Sequence, residues 1–259
     1  AVWKSIEEQG WPDSLKPFQA RFKPGRSYLT LYKKLPVWPM DMRTPNRFKN
    51  SMSSKEIFGK SSIGHMTVGW SCDVGGSRTE GLTGATGEDG QSDEMFRAGW
   101  GLTAFISTFT DGFLQNGMDV QRYFSTELID HVETDSEPPP MVPIVIEVPT
   151  RECERVRDFV KDYLHHPGKP YKKFGMLPDP LKFEGAGCGS FAISALSLSE
   201  TWAPLTKTFW RTFAIPERLL GRLTADQLPE NVEPAAIAKS AHDIVSISRV
   251  GLIVKDWDS

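Results

Sequence analysis

Apolar and polar positions alternate most cleanly through "SSIGHMTVGWSC" (61–72). Met66, Val68, Trp70 and Cys72 fall on one face, and Ile63, His65, Thr67, Gly69 and Ser71 on the other, as a strand requires. "DVGGSR" then supplies a turn and "TEGLTGATG" a returning strand, so a hairpin is expected over 62–87. "GEDGQSDE" reads as a polar loop. "GWGLTAFISTFTDG" reads as a third strand, with a fourth expected around Met118 to Phe124. After the stiff linker "SEPPPMVP", which cannot continue a central strand, comes the short apolar strand "IVIEV".

The period then changes from two to about 3.6. In "PTRECERVRDFVKDYLHHPG" a helix is expected to start at Thr150, with Glu152 in its first turn. Val156, Phe159, Val160 and Leu164 form its stripe, and Gly168 and Pro170 end it. "CGSFAISALSL" predicts a second helix opening at or just after Cys188. A further helix is expected around Trp210 to Leu220, and a strand at "IVSISRVGLIV". Residues 1–60, rich in Pro, Lys, Arg and aromatics, read as an irregular extension wrapped onto the core, with only "SYLTLY" strand-like. The order of strands, helix and cysteine helix predicts one α+β domain over 1–259: an extension at 1–60, a core at 61–200 and a C-terminal elaboration at 201–259.

Composition narrows the function classes. The 259 residues carry a net charge of −3 and 39% hydrophobic residues, which describes a globular chain with a core. No basic excess suggests nucleic acid, and no apolar run approaches the roughly 20 residues of a membrane span. The first residue is Ala1 and not methionine, which fits a processed secretory chain and equally a trimmed one. Cys72, Cys153 and Cys188 are odd in number and have no CxxC spacing. They argue against a zinc ribbon or a disulfide framework and leave at least one thiol unpaired; a Cys72–Cys153 bridge with Cys188 free suits a secreted protein.

Two of these residues fit one site. At a helix start, Cys188 sits over unsatisfied N–H groups and the positive end of the helix dipole, which favour thiolate. Gly185, Ala186, Gly187, Gly189 and Ser190 around it let a carbonyl approach bare backbone and leave N–H groups for an oxyanion. The competing reading is a small residue at a tight turn. His65, on the mixed face of its strand and preceded by Gly64, either lines a cleft or is a partly exposed hairpin histidine. A thiol nucleophile needs a base, so the two readings reinforce each other. If the hairpin closes through the turn at 73–78, Thr86 or Glu88 lies near His65 and is a candidate to orient it.

Other motifs give less. "GAGCGS" resembles a dinucleotide loop only loosely, since its glycine spacing is incomplete and no strand precedes it. His165 and His166 are adjacent on a helix and diverge, which suits dipole partners better than metal ligands. "EDGQSDE" reads as a solvated loop before it reads as a calcium site. Neither a cofactor nor a metal is expected.

"SIGHMTVGWS" followed by "GAGCGSFAISAL" resembles the circularly permuted branch of the NlpC-type papain-like fold, in which the histidine strand precedes the cysteine helix. The wider group includes lecithin retinol acyltransferase-like proteins, whose "CEHF"-like helix start is matched here by "CGSF" at the cysteine and Phe191 but not at the charged residue between. The likeness spans roughly residues 60–200. It implies an antiparallel sheet packed against the cysteine-bearing helix, Cys188 as nucleophile, His65 as base, and Tyr171 as an aromatic lining the cleft. The family's third polar residue follows on the next strand, where this chain has no unambiguous histidine.

The expected function is therefore a cysteine-nucleophile hydrolase of amide bonds, first of all a peptidoglycan peptidase or amidase acting on peptide or peptidoglycan-like substrates. It would be secreted or periplasmic, bacterial, with no nucleic-acid partner. The alternatives are an acyltransferase, thioesterase or lipid ester hydrolase of the same fold, and a binding module without turnover.

Overall fold

The chain opens with two short helices, α1 (Val2–Gln9) and α2 (Lys16–Gln19), ahead of a first strand, β1 (Ser27–Lys34). In the computed structural model the described residues are 2–9, 11, 15–34, 47, 64–88, 110–120, 141–175 and 178–209. The remaining elements are β2 (His65–Val74), β3 (Ser77–Thr83), β4 (Ala85–Gly87), β5 (Thr110–Leu114), β6 (Met141–Val148), α3 (Thr150–His165), β7 (Lys173–Phe174), α4 (Cys188–Ser197) and α5 (Ala203–Thr206). Among the described residues the fold is α+β with antiparallel ladders throughout its strands. The larger sheet runs β3-β2-β1-β6 and the smaller β4-β5-β7.

The hairpin forms as its sequence dictates. Gly75 and Gly76 take φ of +60° and +86°, the pair of positive values that a two-residue turn matched to strand twist requires. The β2–β3 ladder then runs to Val68↔Thr83 and stops. Past Gly84 the chain leaves as β4 and pairs with β5, Thr86 opposite Phe113. The single returning strand expected over 79–87 is thus two strands in two sheets.

The larger sheet is covered on both faces. Leu29, Leu31, Met66, Val68, Trp70 and Cys72 meet α3 and α4 in the main core. On the other face Trp11, Leu15, Leu82 and Val120 close over Tyr32. Trp11 locks this cover by donating its indole N–H to the Gly81 carbonyl at 3.1 Å. Trp70 lies across Gly81 so closely that a Cβ there would fall 2.1 Å from its ring. The N-terminal segment is therefore not only an extension. It supplies β1, which lies between β2 and β6, and α1, whose Ile6 and Trp3 join the main core. Pro143 is tolerated within β6 because that strand is at the end of the sheet's order.

Helix α3 buries Cys153, Val156, Phe159, Val160, Tyr163 and Leu164, a stripe at helical spacing, against the sheet. Its Cys153 forms a disulfide with Cys72 of β2, with Cα atoms 5.6 Å apart. Helix α4 is buried from Gly189 to Leu196, as a helix apolar on every side must be. None of the helices among the described residues is long and apolar enough to cross a membrane. The helix expected at 210–220, the strand "IVSISRVGLIV" and most of "GEDGQSDE" lie outside the described residues.

Candidate active site at the start of the cysteine helix

Cys188 is delivered by a loop tied to β7. The Ala186 N–H donates to the Lys173 carbonyl at 3.0 Å, and the Gly175 N–H donates to the Ala186 carbonyl at 3.2 Å. Between them Gly185 has φ of +137°, and a Cβ there would sit 2.6 Å from the Lys173 carbonyl oxygen; both backbone and space demand glycine. Two residues earlier Phe183 has φ of 57°, a left-handed conformation that is costly for a bulky side chain, and its ring stacks on His166 at 4.5 Å. Gly187 then caps α4. Its N–H donates to the Ser190 hydroxyl at 2.9 Å, that hydroxyl donates back to the Gly187 carbonyl, and the Phe191 N–H bonds the same carbonyl at 2.9 Å.

The backbone N–H groups of Met66, Gly189 and Cys188 itself lie near enough to the Cys188 thiol to favour its ionisation. Met66 is the residue after His65, so the start of the cysteine helix meets the start of the histidine strand. There the β2–β3 ladder has already ended. Burial pushes the thiol up from its ordinary value, and the three N–H donors only partly offset it. This corrects the expectation that a helix start would favour thiolate: the dipole and donors are present, but desolvation is larger. Cys188 is half-buried as a residue and is the free cysteine beside the disulfide-bonded pair.

His65 is buried, and its Nε2 lies 2.8 Å from the Gln115 Oε1. A carbonyl oxygen only accepts, so Nε2 carries the hydrogen and Nδ1 is the basic atom of the neutral ring. Gln115 is held on both sides of its backbone: its N–H donates to the Gly84 carbonyl at 3.0 Å, and its carbonyl accepts from the Thr83 hydroxyl at 2.7 Å. Gly84 makes the room. A Cβ there would stand 2.9 Å from the Met66 carbonyl oxygen and 3.3 Å from Gln115 Oε1.

Of the other residues singled out in the sequence, Thr86 is half-buried on β4, while Glu88 is exposed and donates its N–H to the Asp111 carbonyl. Among the described residues, the polar side chain bonded to the imidazole is that of Gln115, just past β5. The hairpin register pointed to Thr86 because it ignored the break at Gly84. The only sequence signal for Gln115 was an amide at the end of an apolar strand, "FLQN". Tyr171 is half-buried in the turn Pro170–Lys172 and packs on the main core, with its carbonyl against Gly112 of β5. His165 and His166 diverge: the first lies 2.8 Å from the Lys161 carbonyl, and the second accepts from the Gly168 N–H at 3.1 Å. No group of three His, Cys, Asp or Glu side chains suited to a metal occurs among the described residues. An open groove of about 520 Å³ on the outward face of α3 reaches Leu198, at the other end of α4 from Cys188, and is lined mainly by Arg and Asp or Glu side chains.

Chemically, the arrangement holds a free thiol at a helix start and, at the start of the adjoining strand, an imidazole bonded to a side-chain amide. The chain matches no family model, no curated protein and no solved structure.

Proposed function

We propose that the protein is a cysteine-nucleophile acyl-transfer enzyme of permuted papain-like architecture. The observation that carries this is the closeness of the helix-start thiol of Cys188 to the backbone N–H of Met66, the residue after His65, whose ring is bonded to a buried amide. In the proposed reaction the sulfur attacks a carbonyl carbon as its proton passes to His65 Nδ1. The carbonyl electrons move to oxygen, which is held by backbone N–H groups at the start of α4. Collapse expels the leaving amine or alkoxide with the proton from His65, and water, activated by the same imidazole, then releases the acyl group. Gln115 keeps the ring in the tautomer this cycle requires.

Amide bonds of peptidoglycan stem peptides are the first substrate class, and a secreted or periplasmic setting goes with them. The buried Cys72–Cys153 disulfide supports an oxidising compartment. Transfer to an acceptor other than water would use the same acyl-cysteine.

The test has two stages. With p-nitrophenyl acetate, intact mass should show one acetyl group on the wild type and none on Cys188→Ala. His65→Ala should slow acetylation roughly 10²–10⁴-fold, and Gln115→Ala roughly tenfold to a hundredfold through lost orientation. Stem peptides, followed by chromatography and mass spectrometry, then test the substrate class. Equal acetylation or equal peptide cleavage by wild type and Cys188→Ala would falsify the proposal.

A further inference from the structure

The backbone at Phe183 follows a pattern that ordinarily selects glycine. The turn Pro180–Lys182 ends there, where the Phe183 N–H donates to the Pro180 carbonyl at 3.0 Å and the Glu184 N–H to the Asp179 carbonyl at 3.3 Å. Closing a helical turn in this way calls for a left-handed residue, and Phe183 supplies it at φ of 57°. A Cβ makes that conformation unfavourable, so the contacts of the phenyl ring have to offset it. Those contacts lead to α3. The ring stacks on His166 with centroids 4.5 Å and planes 8° apart, and it packs on Tyr163 and Phe159, each at 6.0 Å. His166 is itself held, since its Nδ1 accepts the Gly168 N–H at 3.1 Å. From Phe183 to Cys188 the chain has little slack. Gly185 is left-handed at φ of +137°, Ala186 is bonded on both sides of its backbone to Lys173 and Gly175, and Gly187 caps α4. The dihedral at Phe183 therefore bears on where the thiol stands.

We infer that the Phe183–His166 stack is a clasp that holds a strained turn closed and so keeps the loop 183–187, and the thiol it delivers, in their half-buried place. Without the ring, residue 183 leaves the left-handed region, the loop shifts outward and the thiol is exposed. Phe183 and His166 are thus positioning residues that act on Cys188 through the backbone between them. The inference rests on the acyl-transfer reading only for the use to which the held thiol is put.

Alkylation of Cys188 by iodoacetamide in the full chain, followed by intact mass at fixed pH, tests this. Phe183→Ala removes the ring and keeps the strain, whereas Phe183→Gly removes both. The alanine variant should be alkylated roughly 5- to 30-fold faster than the glycine variant. That order reverses the usual one, in which glycine loosens a backbone more than alanine does. His166→Ala should be alkylated roughly 2- to 12-fold faster than wild type, while His166→Phe keeps a stacking face and should stay near wild type. A glycine variant alkylated as fast as the alanine variant, or faster, overturns the inference. If a Phe183 variant does not fold, the His166 pair decides, and equal rates in His166→Ala and His166→Phe overturn it. Alkylation needs neither His65 nor an acyl donor, so the two ideas separate. Lost selectivity in the acetylation assay sinks the acyl-transfer reading alone, whereas the wrong order of variants with normal acetylation sinks the clasp alone.

Discussion

Burial raises the Cys188 thiol more than the neighbouring N–H groups of Met66, Gly189 and Cys188 lower it, because removing a charge from water there costs more than those groups return. The expected consequence is a pH profile. The rate of Cys188 alkylation by iodoacetamide should keep climbing past the ordinary thiol value of about 8.5, with no plateau near neutrality. Intact mass against time at several pH values checks this, and a plateau below pH 7 would mean that the thiolate is stabilised after all. At this scale the sequence was half legible. A cysteine among small residues at a helix start and a histidine on a strand are local patterns. Gln115 is not, because its contact with His65 depends on β5 packing against a chain that breaks at Gly84, fifty residues from the imidazole. The Cys72–Cys153 pairing was offered from cysteine count and compartment alone, not from geometry. Both cysteines lie on buried faces of regular elements, but nothing in their spacing says that those faces meet.

Among the elements, β2, β3, α3 and α4 were legible from periodicity, turn glycines and helix-end signals. The central place of β1 was not. Its side chains are buried on both faces, so "SYLTLY" signals a strand without saying how much covers it, and the tryptophans that cover the sheet sit among prolines that read as loop. Helix α3 also does more than pack. Burial alone would raise the Glu152 carboxyl, but the Ser199 hydroxyl, the Thr201 groups and Arg151 together hold it below the usual carboxylate value. The Thr201 N–H donates to it at 3.0 Å, which fastens the chain leaving α4 to the first turn of α3. A lowered carboxyl contributes stability above its unfolded value of about 4.3 and loses it as pH falls through the folded value. Glu152→Gln should therefore cost about 1–3 kcal/mol at neutral pH, and the gap from wild type should close in acid. Urea unfolding at pH 7 and pH 3 measures both, and a gap independent of pH would refute the linkage.

For the whole molecule, the disulfide ties the histidine strand to α3 across a sequence separation of 81 residues. Closing a loop of that length is worth about 4–5 kcal/mol in the chain-entropy account. The Cys72→Ala/Cys153→Ala variant should show a lowered melting temperature in scanning calorimetry, while the wild type in reductant approaches the same value. Equal melting with and without the bond would mean that the packed core alone sets stability. The sheet order has another consequence, in time. Strand β1 pairs on one side with β2 and on the other with β6, and roughly a hundred residues separate the end of β1 from the start of β6. At about 5–20 residues per second on a ribosome, one row of β1 backbone groups waits on the order of 5–20 s for its partner. During that wait the strand that will become the middle of the sheet is an open edge, able to pair with any neighbouring chain. A helper that holds β1 apart until β6 arrives would thus protect the nascent protein before Cys188 has been made.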